Sequence, residues 1–143
     1  MPQVYQHFGI RFQYPDNWTL DEEEAVAGNR SVAVYSPGGG FWSVAVHPPR
    51  TPRQPLADAA LAAMREEYDN LDAEEVTEIV AGHKLGGYDI NFYCLDLTNT
   101  ALVRTIDLPD AVLLIFCQAE DREFAEIGPV FEAVTRSLFD RRK

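Results

Sequence analysis

Histidine and cysteine, the residues that most often bind metals or attack substrates, are few and scattered in this chain. His7, His47 and His83 stand far apart and form neither an HxH nor an HExxH spacing, so we expect no metal site and no cofactor. Cys94 and Cys117 lie inside strand-like runs and not in a CxxC motif, which predicts buried thiols. A disulfide between them is the alternative.

The other catalytic motifs are incomplete. Ser36 is followed by Pro37 and Gly38 and does not form the GxSxG elbow of a nucleophilic serine. The glycine loop at residues 37–40 lacks the Gly-Lys-Ser/Thr of a phosphate-binding loop and predicts a hairpin connection. Acid–base catalysis needs two carboxylates in one cleft, and 23 acidic residues offer no preferred pair. We therefore predict a protein that is not an enzyme, and the alternative is a small-molecule binder or enzyme with a cleft beside the sheet.

Two features are candidate contacts for a partner. Phe41 and Trp42 are neighbours in a strand-like run, so their side chains point to opposite faces, and we expect Phe41 outward. The alternative is that a nearby helix covers Phe41. The proline-rich segment 48–55 carries Arg50 and Arg53 and either binds an aromatic groove as polyproline or forms a stiff loop. Phe41, Arg50 and Arg53 are the predicted binding residues.

The composition predicts one acidic globular domain over residues 1–143. With 46% hydrophobic residues the chain can bury a substantial core. The net charge of −11 argues against nucleic acid or an anionic membrane as partner, because both would repel the protein. No apolar run approaches the ~18 residues of a membrane helix, and no signal peptide is visible, so we expect a cytoplasmic location. The expected partner is another protein, and a homodimer is the alternative.

The elements that position these residues begin with residues 8–14. Aromatic and aliphatic residues alternate there with polar ones until Pro15, which predicts a half-buried strand, and Trp18 is expected to close the core. Further strands are predicted at 19–23, 31–36, 41–47, 74–81, 88–97, 102–108 and 111–119. The last three form an antiparallel meander with joints at 98–100 and 109–110. Because residues 111–117 are apolar on both faces, this run is expected at the sheet centre.

Two helices are predicted from apolar residues that recur at steps of three and four, one near 55–71 and one near 121–139. Pro129 lies inside the second, so we expect a kink there or two abutting helices. Arg136 and the basic residues 141–143 suit the negative end of its dipole.

This order of elements resembles the PsbP-like superfamily, which includes an extrinsic photosystem subunit, a Ran-binding import factor and bacterial DcrB-like proteins. The residues that carry the resemblance are Phe8-x-Ile10-x-Phe12-x-Tyr14-Pro15-x-x-Trp18 and Phe131-x-x-Val134-x-x-Ser137-Leu138. A helix after the first hairpin and a run led by Gly82 into the meander extend it over nearly the whole chain. The resemblance implies an α+β fold, an α/β/α sandwich with a central, mainly antiparallel sheet flanked by helices. It also implies a non-catalytic binding or assembly role, and it carries over no binding residue because the matching positions belong to the scaffold.

Overall fold

Two antiparallel sheets and three helices make up the part of the chain that the structure describes. A computed structural model describes residues 1–140, and the basic residues 141–143 of the helix-dipole prediction lie outside this range. In chain order the elements are β1 (Gln3–His7), β2 (Ile10–Tyr14), β3 (Thr19–Asp21), α1 (Glu23–Val26), β4 (Ser31–Tyr35), β5 (Phe41–His47), α2 (Arg53–Glu67), β6 (Leu71–Val80), β7 (His83–Cys94), β8 (Leu97–Asp107), β9 (Val112–Glu120) and α3 (Asp121–Ser137).

The main sheet has seven strands in the order β3-β4-β5-β9-β8-β7-β6, and every neighbouring pair is antiparallel. β9 is the fourth of the seven, which confirms the prediction that residues 111–117 occupy the sheet centre. Side chains of β9 alternate between the two faces of the sheet, and both sets are apolar because both faces are covered. Leu113 and Ile115 point to the α3 side, and Leu114 and Phe116 point to the α2 side. β1 and β2 form a separate two-stranded hairpin.

One core lies on each face of the sheet, so the α/β/α arrangement is confirmed. α3 and the β1–β2 hairpin cover one face, and α2 covers β7, β8 and β9 on the other. Trp18 belongs to the α3-side core, where it is 7% exposed and its ring meets Phe131 edge to face at 5.8 Å. The predicted role of Trp18 in closing the core is confirmed.

The N-terminal hairpin differs from the prediction in two ways. β1 was not predicted, because Tyr5 is its one buried residue and leaves too weak an alternation to detect. Its ring stacks on Phe12 at 5.2 Å, which fixes the hairpin to the core. Phe8 was predicted in the strand but lies in the turn with a φ of +55°, beside Gly9 at +80°, since a two-residue hairpin turn requires left-handed backbone there.

The joint predicted at 98–100 is wrong. β7 and β8 are joined at Leu95 and Asp96, which have φ values of +53° and +64°. Leucine is not a typical turn residue, so the turn at Leu95 was missed. Residues 98–100 contain an asparagine, which is common in turns, and the joint was therefore predicted there. Those residues pair with β7 instead, where Asn91 Nδ2 donates to Thr100 Oγ1 at 3.0 Å. The joint at 109–110 is confirmed.

Both predicted helices are present with shifted ends. α2 begins at Arg53 after Pro52 and ends at Glu67, because the chain turns into β6 four residues later. α3 is a single α-helix with Pro129 inside it, not two abutting helices. The Glu120 carboxylate caps its start by accepting from the backbone N–H groups of Arg122 and Glu123, at 2.6 and 3.2 Å.

Candidate functional site

An aromatic surface lies on the α2 side of β4, β5 and β9. The rings of Tyr35 and Phe41 are 5.4 Å apart between centroids, and those of Phe41 and Phe116 are 5.7 Å apart. Tyr35 is 37% exposed, and the other two are half-buried. We call Tyr35, Phe41 and Phe116 the aromatic shelf.

Strand alternation and register place these rings together. Tyr35 pairs with Phe41 across β4 and β5, and the next residue, Trp42, points to the other face. There Trp42 is fully buried, and its Nε1 donates to Thr135 Oγ1 on α3 at 2.9 Å. The prediction that Phe41 and Trp42 point to opposite faces is therefore confirmed. Phe41 lies beside α2, half-covered.

The shelf borders a part of the sheet that α2 does not cover. Six spacings between seven strands span about 29 Å, whereas a helix is about 10 Å wide. α2 packs on β7, β8 and β9, and the four-residue α1, which has no buried residue, contacts β4. The α2 side of β4 and β5 therefore stays open in part, since none of its side chains is fully buried. A groove of about 490 Å³ runs between α2 and this open half. Its lining is Phe41, Ser43, Ala60, Ala63, Met64, Glu67, Tyr68, Leu114, Phe116 and Gln118.

The three predicted binding residues do not come together. Phe41 opens β5, whereas Arg50 and Arg53 follow the other end of this strand, about 20 Å away along its length. Arg50 is exposed in a turn with a φ of +66°. Arg53 begins α2, and its guanidinium donates to the Lys84 carbonyl at 3.1 Å. A contact surface that includes both arginines and Phe41 would have to span at least about 20 Å.

A second cavity, of about 380 Å³, lies on the opposite face between α3 and the strands β6, β8 and β9. Most of its walls are apolar, with Val80, Leu102, Ile115, Phe124 and Phe131 among them. Arg104 also lines it, so we call this cavity the Arg104 cleft. A cleft beside the sheet is the predicted alternative, and this cavity lies in such a place. The match concerns location only, because location does not tell which ligand enters the cleft.

Arg104 is buried although it is charged, with 6% of the residue exposed. Its Nη2 donates to Asp89 at 2.7 Å and to Glu78 at 3.3 Å, and both partners come from the outer strands. Its Nη1 donates to the backbone carbonyls of Tyr88 and Val103, at 3.2 and 3.0 Å. A buried charge requires such partners, and these contacts hold the guanidinium against the sheet.

Both cysteines are free thiols, so the disulfide alternative is wrong for them. Cys117 is buried as predicted, and Cys94 is half-buried. Burial raises the pKa of the Cys117 thiol to about 12, chiefly because the apolar surroundings disfavour the thiolate. Cys117 therefore stays protonated at neutral pH and cannot act there as a thiolate nucleophile.

This difference predicts selective alkylation. With iodoacetamide at pH 8, Cys94 will be modified in the folded protein, and Cys117 will be modified only after unfolding, as measured by mass spectrometry of peptides. Equal alkylation of both cysteines at pH 8 would contradict the burial of Cys117.

The raised pKa of the Cys117 thiol also makes the stability of the protein depend on pH. Between the unfolded value of 9 and the folded value of about 12, the unfolded chain loses the thiol proton first, so the contribution of Cys117 to stability decreases as pH rises.

A third cavity, of about 400 Å³, is polar and lies where β6 begins and β7 ends. Asp69, Asp72, Asn91 and Asp121 line it, and so does Tyr93, whose ring is 63% exposed.

Within residues 1–140, no group of three or more His, Cys, Asp or Glu side chains could hold a metal ion. The same residues contain no helix with the length and hydropathy needed to cross a membrane.

Comparisons with known proteins find similar folds by structure. No protein-family model matches the chain, and no curated protein matches its sequence. CyanoP, the PsbP of Synechocystis sp. PCC 6803, is similar with a TM-score of 0.59 at 15% identity, over 95% of this chain and 90% of CyanoP. The chain has a PsbP-like fold.

Two other solved structures share this PsbP-like fold. A protein of unknown function from Pseudomonas aeruginosa is similar over 99% of both chains, with a TM-score of 0.60 at 12% identity. LpqN of Mycobacterium tuberculosis, which is involved in cell envelope biogenesis, is similar over 94% of this chain and 87% of its own, with a TM-score of 0.53 at 12% identity. The resemblance seen in the sequence is confirmed for the fold, and identities this low establish nothing about function.

Sequence reasoning missed the residues that surround Phe41 and all of the Arg104 cleft. Tyr35 and Phe116 are separated by 81 positions and meet only through the pairing of β4, β5 and β9. Arg104 did leave a signal, because it is a lone charge inside an otherwise apolar or β-branched run from Leu102 to Ile106. A charge at such a position predicts a buried ion pair, but it does not tell which carboxylates provide it.

Proposed function

We propose that this protein is a non-catalytic binding or assembly module, and that its partner is another protein that covers the aromatic shelf. The open half of the sheet beside α2 carries this proposal. The other face of β4 and β5 is covered by the hairpin and α3, so one layer of the sandwich is incomplete on the α2 side. Clustered aromatic residues at the edge of a groove are the groups that most often dominate binding energy at protein interfaces.

The shape and charge of the groove favour an amphipathic helix as the contacting element. A second helix laid beside α2 would pack at an interaxial distance of about 8–10 Å and complete the helical layer. The charged side chain in the groove lining is Glu67, and the protein carries a net charge of −11. The partner helix therefore presents an apolar stripe flanked by lysine or arginine. The cytoplasmic location stays a prediction.

The test uses photo-cross-linking and a peptide. A benzophenone side chain at position 35 will cross-link a different protein in the native cell, and the same group at Tyr93, an exposed aromatic outside the groove, will not capture that protein. An amphipathic Leu/Lys 18-residue peptide will bind the purified protein, and the double substitution Tyr35→Ser with Phe41→Ser will weaken it by about 30-fold, as expected for loss of ~2 kcal/mol. Fluorescence anisotropy measures the affinity.

Two controls test the aromatic part and the charge part of the proposed contact. Tyr93→Ser removes an exposed aromatic without touching the shelf and will leave the peptide affinity within about twofold. A Leu/Glu peptide of the same pattern will bind more weakly, because its charges repel Glu67. Equal loss in the shelf and Tyr93 variants would overturn the proposal. A cross-link from position 35 to a second copy of the chain would replace it with the homodimer.

A further inference from the structure

Arg104, which lines the cleft, carries a hydrogen-bond donor that nothing in the described chain satisfies. A guanidinium has five N–H donors, and the two terminal nitrogens of Arg104 make four hydrogen bonds, to Glu78, Asp89 and the carbonyls of Tyr88 and Val103. The fifth donor, on Nε, has no partner among the described residues and is shielded from solvent. Unsatisfied buried donors are rare in folded proteins and call for an explanation.

The walls of the cleft define the rest of a ligand. Aliphatic and aromatic side chains from three strands and α3 form most of the lining, with the half-exposed Glu78 and the exposed Glu132 as its carboxylates. A volume of about 380 Å³ lies within the range of small-molecule sites, which are mostly apolar with a few placed polar groups. The cleft thus suits an apolar body of one or two rings, or a short branched chain.

The charges beside Arg104 favour a neutral ligand. Asp89 and Glu78 lie 2.7 and 3.3 Å from its Nη2, so a second anion would meet two carboxylates as well as one guanidinium. A cation would meet the guanidinium at close range in an apolar site. Glu132 is already paired with Arg136 at 3.5 Å, which leaves little net attraction at the mouth. A neutral oxygen acceptor is repelled neither by the two carboxylates nor by the guanidinium.

We infer that the Arg104 cleft binds a small, neutral, largely apolar molecule whose carbonyl-type oxygen accepts a hydrogen bond from Arg104 Nε–H. The contact with Glu78 is the longest of the four that the guanidinium makes, and the Glu78 side chain is 45% exposed. A small rotation of the guanidinium gives up this contact, which water replaces at Glu78, and turns Nε–H to the ligand. The site is separate from the aromatic shelf, which lies on the other face of the sheet.

Binding of matched naphthalenes to the wild-type protein tests this inference. The probe 2-acetylnaphthalene carries the acceptor, 2-ethylnaphthalene has nearly the same shape without it, and 2-naphthoate carries a negative charge. We expect 2-acetylnaphthalene to bind at least about tenfold more tightly than either of the other two, because one hydrogen bond to a charged donor gives about this factor. Displacement of the fluorescent neutral ketone prodan measures all three affinities.

Nuclear magnetic resonance locates the contact without any substitution. The Arg104 Nε–H signal in a ¹⁵N-correlated spectrum will move downfield on addition of 2-acetylnaphthalene and will move little with 2-ethylnaphthalene. An Nε–H signal that is unchanged by saturating 2-acetylnaphthalene would overturn the inference. Equal affinity for the ketone and the hydrocarbon would overturn it as well, since the pocket would then bind any apolar molecule.

Variants supply the matched controls. Leu102→Trp fills the cleft and will weaken prodan binding at least about tenfold, and Arg104→Met will abolish the preference for the ketone over the hydrocarbon. Phe41→Ser alters the groove on the other face of the sheet and will leave the affinities for prodan and for 2-acetylnaphthalene within twofold of the wild-type values. Loss of prodan binding in Phe41→Ser with retention in Leu102→Trp would place the ligand in the groove and overturn the inference. If either cleft variant fails to fold, the wild-type Nε–H signal decides alone.

Discussion

Alanine at Gly87 will destabilise the protein by at least about 4 kcal/mol, a value that single substitutions reach only when they damage the core or the backbone. A Cβ atom at Gly87 would lie 1.8 Å from the carbonyl oxygen of Val103 and 2.6 Å from its carbonyl carbon. Both atoms are backbone, so they can move away only if β7 and β8 separate. The φ of +156° at Gly87 is itself unfavourable for a residue with a side chain.

Gly86, the preceding residue of β7, provides the matched control. The atom closest to a Cβ at Gly86 is Thr105 Oγ1 at 4.0 Å, which is an ordinary contact. Alanine there will be neutral or will stabilise by about 0.5–1 kcal/mol, because glycine in a strand loses more backbone entropy on folding. Urea unfolding followed by circular dichroism measures both variants. If the two glycine variants had the same midpoint, the close approach of β7 to β8 at Gly87 would be disproved.

Trp18→Ala will have the second large effect, a loss of about 3–5 kcal/mol in the free energy of unfolding. The ring is 7% exposed and meets Phe131 of α3, so its removal leaves a cavity between the start of β3 and α3. For a chain of this length the loss corresponds to a decrease of roughly 10–20 °C in melting temperature. Calorimetry or thermal circular dichroism measures it.

Trp18→Phe is the control for Trp18→Ala. Phenylalanine keeps an aromatic ring against Phe131 and will lose clearly less stability than alanine, because the cavity is smaller. In the folded Trp18→Ala protein, the peptide affinity at the aromatic shelf will stay near the wild-type value, since Trp18 lies on the opposite side of the sheet. A normal melting temperature in Trp18→Ala would show that the ring does not close the core.

The candidate site divides into a part that local pattern predicted and a part that it did not. The opposite orientation of Phe41 and Trp42 was predictable, because alternation along a strand needs only the adjacent residues. Grouping Phe41 with Arg50 and Arg53 took sequence proximity for spatial proximity. The direction of β5 separates them, and the neighbours of Phe41 come from β4 and β9.

By itself, the sequence determined the type and order of most elements and the PsbP-like fold. Most elements leave a local signal, either a period of 2 or 3.6 in their apolar residues or a proline or glycine at their end. Such signals occur along the whole chain and need only the nearest few residues to be recognised. Only the tertiary structure decided the Arg104 cleft and the open half of the sheet. Glu78, Asp89 and Arg104 stand on three strands, and their contacts depend on strand register, which no local pattern specifies. The open half depends on which strands α2 covers, and that follows from packing across the whole sheet.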